Sequence, residues 1–265
     1  MTRSRFETPE WHAAVGRMMS ADSAEQVGEA LSDALGQVVT YDGTCLLLFR
    51  NDAPPGVLHR SLSPDDERHY LMRYLAGPYL LDPLYQLALR ADKPDMCRFR
   101  DAIPDRFHSS EYYHRYCEQT HLRDEMDFFV DVAGGGTLAL VVARHKRMFS
   151  KAELARLELV EPVVRAAMQR IWEKWRGGGS DAGADADIHR RLTECFENFG
   201  HDVLTRRERE ITQLLLRGHS TKSVARELDI APGTVMVHKR NLFSKLGITS
   251  QFELFSRFIE ELPRR

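Results

Sequence analysis

From Ile230 to Phe252 the chain carries His238, Lys239, Arg240 and Lys245 and no Asp or Glu. Such side chains on one element suit a polyanion: a guanidinium offers a planar fork of donors and an ammonium a point charge. A carboxylate beside them would face a duplex carrying one phosphate per roughly 3.4 Å of each strand. The element that must hold them opens at Pro232, which a first helical turn tolerates, and closes at Gly247, a residue suited to a left-handed cap. At about 100° per residue, Val235, Leu242, Phe243 and Leu246 share one arc for packing, while Met236, Val237, Arg240 and Ser244 share another. His238 and Lys245 lie on a third arc with Thr234 and Asn241. Two readings stand side by side for them: contact with nucleic acid, or support of the module, for instance by pairing Lys245 with Glu208.

The neighbouring segments are punctuated as clearly. Thr205 and Glu208 form a capping-box pair ahead of the apolar stripe Ile211, Leu214 and Leu215, which stops at Gly218. A second, shorter helix starts at Ser220, and a tight connection leads into the carboxylate-free helix. Ser250 and Glu253 repeat the capping pattern before a fourth helix with Phe252, Phe255, Ile259 and Leu262 on one side, ended by Pro263. A short helix, a tight turn and a carboxylate-free helix is the layout of a helix-turn-helix, whose second helix enters the DNA major groove.

The chain of 265 residues has a formal charge of −2, yet residues 203–262 hold ten bases against seven acids, a balance of +3 that leaves −5 for the remainder. A basic module on an acidic body is the asymmetry expected when one domain alone meets a polyanion. The segment RGGGSDAGADAD, 176–187, cannot bury apolar surface and reads as flexible coil, dividing the chain into domains 1–175 and 188–265. No apolar run approaches the roughly 20 residues of a membrane helix, and MTRSRFETPEW lacks the apolar core of a secretory signal, so a cytoplasmic protein without a membrane partner is expected. Cys45, Cys97, Cys117 and Cys195 lack C-x-x-C spacing and read as reduced thiols with no metal site. G-x-S-x-G, H-E-x-x-H and phosphate-cradling glycine loops are absent from the sequence, which argues against an enzyme and against a bound cofactor.

Residues 204–250, LTRREREITQLLLRGHSTKSVARELDIAPGTVMVHKRNLFSKLGITS, resemble the LuxR-type helix-turn-helix of bacterial transcription regulators. The likeness lies in the L-T-x-R-E-R-E opening, the G-x-S-x-K turn and the T-V-x-x-H-x-x-N-x-x-x-K-L-G core. It implies that Val237 and Arg240, with Met236 beside them, face base edges, and that Thr221, Lys222 and Lys239 hold phosphates. Arg240 suits guanine, whose O6 and N7 it can bond together for about 1–3 kcal/mol of discrimination. Thr221, Ser223 and Met236 stand where the family has Asn, Glu and often Lys, so a borrowed operator preference does not transfer. The resemblance further implies double-stranded DNA, RNA polymerase and a second copy of the chain as partners, with the last helix forming a dimer contact. The Phe252, Phe255, Ile259 stripe suits that contact, and equally packing on the module's own core.

Upstream, TCLLLFR (44–50) and GVLHRS (56–61), then EMDFFVDV (125–132) and TLALVVARH (137–145), predict two hairpins, the second turning on AGGG. Helical patterns fall near 64–76, 82–91, 109–119 and 151–175, after an N-terminal helical region. The expected class is α+β: an α/β/α sandwich of the sensor kind with an antiparallel sheet, followed by an all-α four-helix module. A phosphorylatable receiver would instead open with a strand and paired acids and alternate β and α units. Tyr70, Tyr74 and Asp82-Pro83 resemble the W-x-x-x-Y then D-P pattern of autoinducer-binding domains in quorum-sensing LuxR-type regulators. That resemblance implies ligand contacts at Tyr70, Tyr74 and Asp82, and at Cys97, which falls on a second aromatic position of the family. Tyr70 replaces the Trp that bonds a ligand carbonyl, which argues against an acyl-homoserine lactone and for an amine- or amide-bearing small molecule at Asp82. Asp82 also reads as the N-cap of a helix starting at Pro83. The alternative to a small-molecule effector is an N-terminal domain without a cavity that docks a protein, through apolar surface near Trp172 and Trp175.

Overall fold

The computed structural model describes residues 5–110, 112–175, 190–191 and 193–261. Helix α1 (Pro9–Ser20) is capped by Thr8 and α2 (Ala24–Val38) by Ser23, whose hydroxyl accepts from the Gln26 N–H. Five strands follow: β1 (Gly43–Phe49), β2 (Gly56–Ser61), β3 (Met96–Arg98), β4 (Asp124–Asp131) and β5 (Thr137–Arg144). They form one antiparallel sheet in the order β2-β1-β5-β4-β3. Both predicted hairpins are present, and β3 is an edge strand that the sequence did not announce. β1 is buried along its whole length because it pairs on both edges and is covered on both faces, which explains its unalternating apolar run.

One face of the sheet packs against α1, α2 and the long helix α3 (Lys151–Trp175) through Leu46, Leu48, Phe128, Val130, Leu140 and Val142. α3 answers with Leu157, Val160, Val164, Met168 and Ile171, a helical stripe. Its start is fixed to β5: Arg144, 2 % exposed, bonds Glu153 at 2.6 Å and lies over the Phe149 ring. The other face, with Cys45, Leu47, Phe49, Phe129 and Ala139, is covered by short helical pieces at 64–75, Pro78–Leu81 and Pro83–Ala88. An α/β/α sandwich results, as expected.

The C-terminal module follows helical residues 193–198 with α4 (Arg206–Leu216), α5 (Thr221–Glu227), α6 (Pro232–Leu246) and α7 (Gln251–Glu261). The capping box forms: the Thr205 hydroxyl accepts from the Glu208 N–H, and the Glu208 carboxylate accepts from the Thr205 N–H. Gly247 takes the left-handed cap of α6, φ 66°. At α7 the pattern is modified, since Ser250 accepts from the Glu253 N–H while Glu253 reaches back to the Thr249 N–H. The stripe expected on α7 is corrected. Leu254, Phe255 and Phe258 face the core, whereas Phe252 is 70 % exposed, because about 100° per residue puts the first three on one arc and Phe252 about 110° from its centre. The side chain of Ile259, the residue Leu262 and the expected linker 176–187 lie outside the described residues.

The module rests on the N-terminal domain. Leu81, Phe107, Tyr112 and Cys117 join the module's buried residues in one apolar cluster. Gly218 makes the approach possible: its φ is +93°, and a Cβ there would sit 3.2 Å from the Phe107 backbone. The Arg106 N–H donates to the Gly218 carbonyl at 3.2 Å.

Candidate nucleic-acid interface and ligand cavity

α6 divides its surface as its periodicity requires. Val235, Leu242 and Leu246 are buried, while Met236 (63 % exposed), Val237 (48 %), Arg240 and Ser244 point outward together. His238 and Lys239 are half-buried, and Lys222 at the start of α5 is exposed beside the partly covered Thr221. Lys239 lies 5.3 Å from the Phe243 ring centroid. Burial, helped by the nearby Arg106 charge, holds its ammonium below the usual lysine range. Lys245 takes one of the two readings offered for it: its Nζ bonds Glu208 at 2.7 Å. The same Glu208 carboxylate serves the capping box, so one buried acid ties α6 to the start of α4.

Across the domain contact, Asp105 accepts from the Ser220 N–H at 2.9 Å and from the Ser220 hydroxyl. A carboxylate of the N-terminal part of the chain thus sits against Ser220, the N-cap of α5, two positions ahead of Lys222.

Under the short helical pieces lies a cavity of about 70 Å³, several times the roughly 10–15 Å³ that admits one water. Of the residues singled out in the sequence, Tyr70, Tyr74 and Asp82 line it. Cys97 does not: it sits on edge strand β3, opposite Asp127 in the register, and its thiol faces the Arg98 carbonyl. Asp82 is both things at once, since Oδ1 accepts from the Leu84 N–H at 2.9 Å as an N-cap and Oδ2 accepts from the Tyr74 hydroxyl at 2.6 Å. Burial pushes its pKa up to about 6, against those two hydrogen bonds. Tyr70 stacks on His145 with ring centroids 4.2 Å apart.

Glu125 and Asp127 also line the cavity and were not singled out in the sequence. They are two apart on β4 and therefore project from one face. Acids alternating with apolar residues mark a strand with one wet face, and only the covering pieces at 64–88 turn that face inward. Burial, and then the Asp82 charge, raises Glu125 to about 8. Burial and the Glu125 charge drive Asp127 well above the usual carboxylate range.

A helix-turn-helix behind a sheet domain that encloses a cavity is the architecture of a two-part transcription regulator. The family model of bacterial regulatory proteins, luxR family, matches residues 202–258. The chain is 34% identical over 157 residues, 57% of its length and 80% of the relative's, to a protein of Aeromonas salmonicida named as an HTH-type transcriptional regulator in the exeN 3′ region. It is 26% identical over 208 residues, 77% of each chain, to the monoamine regulon transcriptional regulator of Klebsiella aerogenes. The crystal structure of the VqsR LBD domain from Pseudomonas aeruginosa matches with a TM-score of 0.54 and 27% identity, covering 63% of this chain and 98% of that one. The chain belongs to the LuxR family of bacterial transcription regulators. Among the described residues, no helix is long and apolar enough to cross a membrane.

Proposed function

We propose that this LuxR-family regulator binds duplex DNA through α6 and is controlled by a small molecule in the N-terminal cavity. Met236, Val237 and Arg240 read base edges, and Thr221, Lys222 and Lys239 hold phosphates. Two copies act on paired half-sites, with exposed Phe252 offered to the partner, and RNA polymerase is the downstream contact. The likeness to the VqsR LBD domain supports the cavity as the effector site. The reading excludes a typical acyl-homoserine lactone, since no Trp lines the cavity and Tyr70 is engaged with His145.

The observation that carries effector control is Tyr112. Its side chain lines the cavity and belongs to the apolar cluster that seats the DNA-binding module. A molecule that moves this ring changes how the module is held, a population shift driven by differential contact with two arrangements. The cavity also weighs against a protein-docking domain without one. Trp172, expected to serve such docking, stacks on Trp175 and packs in part against the core.

The test is selection of DNA sites from a random library by the full chain, followed by DNA titrations with and without a compound found by thermal shift. Val141→Trp, which fills the cavity, should abolish the compound's effect on DNA affinity and leave basal binding in place. An undiminished effect in that variant would remove the cavity from the effector pathway.

A further inference from the structure

Three carboxyl groups converge on the cavity, Asp82 from the helical cover and Glu125 and Asp127 from β4. Among the described residues no Lys or Arg lines the cavity, and the basic side chain that does, His145, is kept below its ordinary pKa by burial. Asp82 has both oxygens occupied by donors from the protein. Asp127 does not: it is 1 % exposed, and its Oδ1 is buried with no hydrogen-bond partner. Glu125 and Asp127 touch each other through their carboxyl groups. A buried acceptor without a donor, in a cavity without a compensating cation, is a costly arrangement that a matching ligand relieves.

We propose that the cavity takes a small organic amine in its ammonium form, held between Glu125 and Asp127, with its apolar part against Leu47, Phe49 and Val141. This rests on reading the cavity as the effector site. An ammonium supplies three donors and a positive charge, so it satisfies Asp127 Oδ1 and offsets the carboxylates together. A hydroxyl or neutral amide supplies a donor and no charge, and an anion is repelled. Tyr74, Tyr112 and Tyr116 also line the cavity, and an aromatic face attracts a cation. With no cation beside it, Glu125, raised to about 8, keeps its proton at neutral pH. The ammonium replaces that proton as the neutralising charge, and the proton is released to solvent. A divalent cation is the rival occupant, but among the described residues no group of three or more His, Cys, Asp or Glu is placed to hold a metal ion.

The experiment titrates the full chain by calorimetry and thermal shift with 2-phenylethylamine, with its neutral isostere 2-phenylethanol, and separately with calcium or magnesium chloride. The amine should bind at least tenfold more tightly than the alcohol. Asp127→Asn and, independently, Glu125→Gln should erase that preference by weakening the amine far more than the alcohol. Binding in two buffers of different ionisation enthalpy should show proton release with the amine. Equal affinity for amine and alcohol, or a preference that survives both substitutions, overturns the amine assignment and leaves the cavity as the effector site. Stabilisation by the divalent ions in place of the amine overturns it in favour of a metal. Binding of neither organic probe overturns the amine assignment and the cavity reading together.

Discussion

Burial and then the Asp82 charge raise Glu125, which makes its titration a direct readout of the cavity. Its folded pKa is raised from 4.5 to about 8, so its contribution to stability is complete below about pH 4.5 and is lost as pH rises through about 8. The other groups facing it are Asp82, Asp127, Cys45, His145 and the tyrosines 70, 74, 112 and 116. Burial keeps the thiol and the phenols neutral through this range, and His145, lowered from 6.5, opposes the loss only up to about that pH, so Asp82, Asp127 and Glu125 set the slope above it. The ligand-free protein should lose thermal stability between about pH 5 and 9, and Glu125→Gln should flatten that slope and melt higher at pH 8; a variant melting lower there would refute the assignment. In the DNA-binding module the same scale separates two exposed bases, Arg240 on α6 and Lys222 on α5. Arg240→Ala should cost about 1–3 kcal/mol at its preferred base pair and relax preference there. Lys222→Ala should weaken all sequences alike and lower the salt slope by about 1. Competition titrations with matched and mismatched sites distinguish the two. The exposed arc that carries Arg240 was legible from the sequence because a helix wheel places it. Glu125 and Asp127 were not, because their spacing specifies a strand face without saying what covers it.

Elements with chemical punctuation were legible, and elements held only by tertiary context were not. Thr205, Glu208, Pro232 and Gly247 mark the ends of α4 and α6 in the sequence itself, and the structure uses each of them as a cap or first-turn residue. β3 is three residues long, too short for any periodicity, and exists because β4 offers it an edge. The face of α7 was misjudged at Phe252, since four apolar residues within one helix admit more than one stripe. The junction of β5 with α3 rests on charge: Glu153 bonds Arg144 and Arg147 and accepts from the Ser150 N–H, and these contacts hold its carboxyl well below the usual range. Glu153→Ala leaves the buried Arg144 guanidinium without its partner and should cost about 3–5 kcal/mol in denaturant unfolding. Glu208 poses the equivalent question in the module. Glu208→Ala removes the capping box and the Lys245 partner and should cost about 1–2 kcal/mol. Lys245→Ala should cost less and, if Lys245 serves the module alone, leave DNA affinity unaltered.

At the scale of the whole molecule, the contact between domains is the feature least legible in the sequence, since nothing in a linear pattern tells Asp105 that it will meet Ser220 across 115 positions. Gly218 and Asp105 belong to different domains, and each makes sense only with the other domain in place. The contact has a consequence for DNA. The start of a helix, with its free N–H groups and positive dipole end, favours an anion, and here the anion beside α5 is a carboxylate of the same chain. On the proposed phosphate-holding role of Thr221 and Lys222, an approaching DNA phosphate would meet that negative charge. Arg106, next to it, places a second positive charge near Lys239 that favours separating the domains. The contact is held by the apolar cluster and the Asp105 hydrogen bonds, with Arg106 and Lys239 as like charges across it. Asp105→Ala should shift it toward release: severalfold tighter DNA binding without effector, a smaller change when effector is added, and faster proteolysis between the domains. Since coupling between two sites is reciprocal, the same substitution should alter effector affinity by the factor that is lost from its effect on DNA. Unchanged DNA affinity in Asp105→Ala would mean that the domain contact is only a resting place for the module and that effector control runs through another part of the chain.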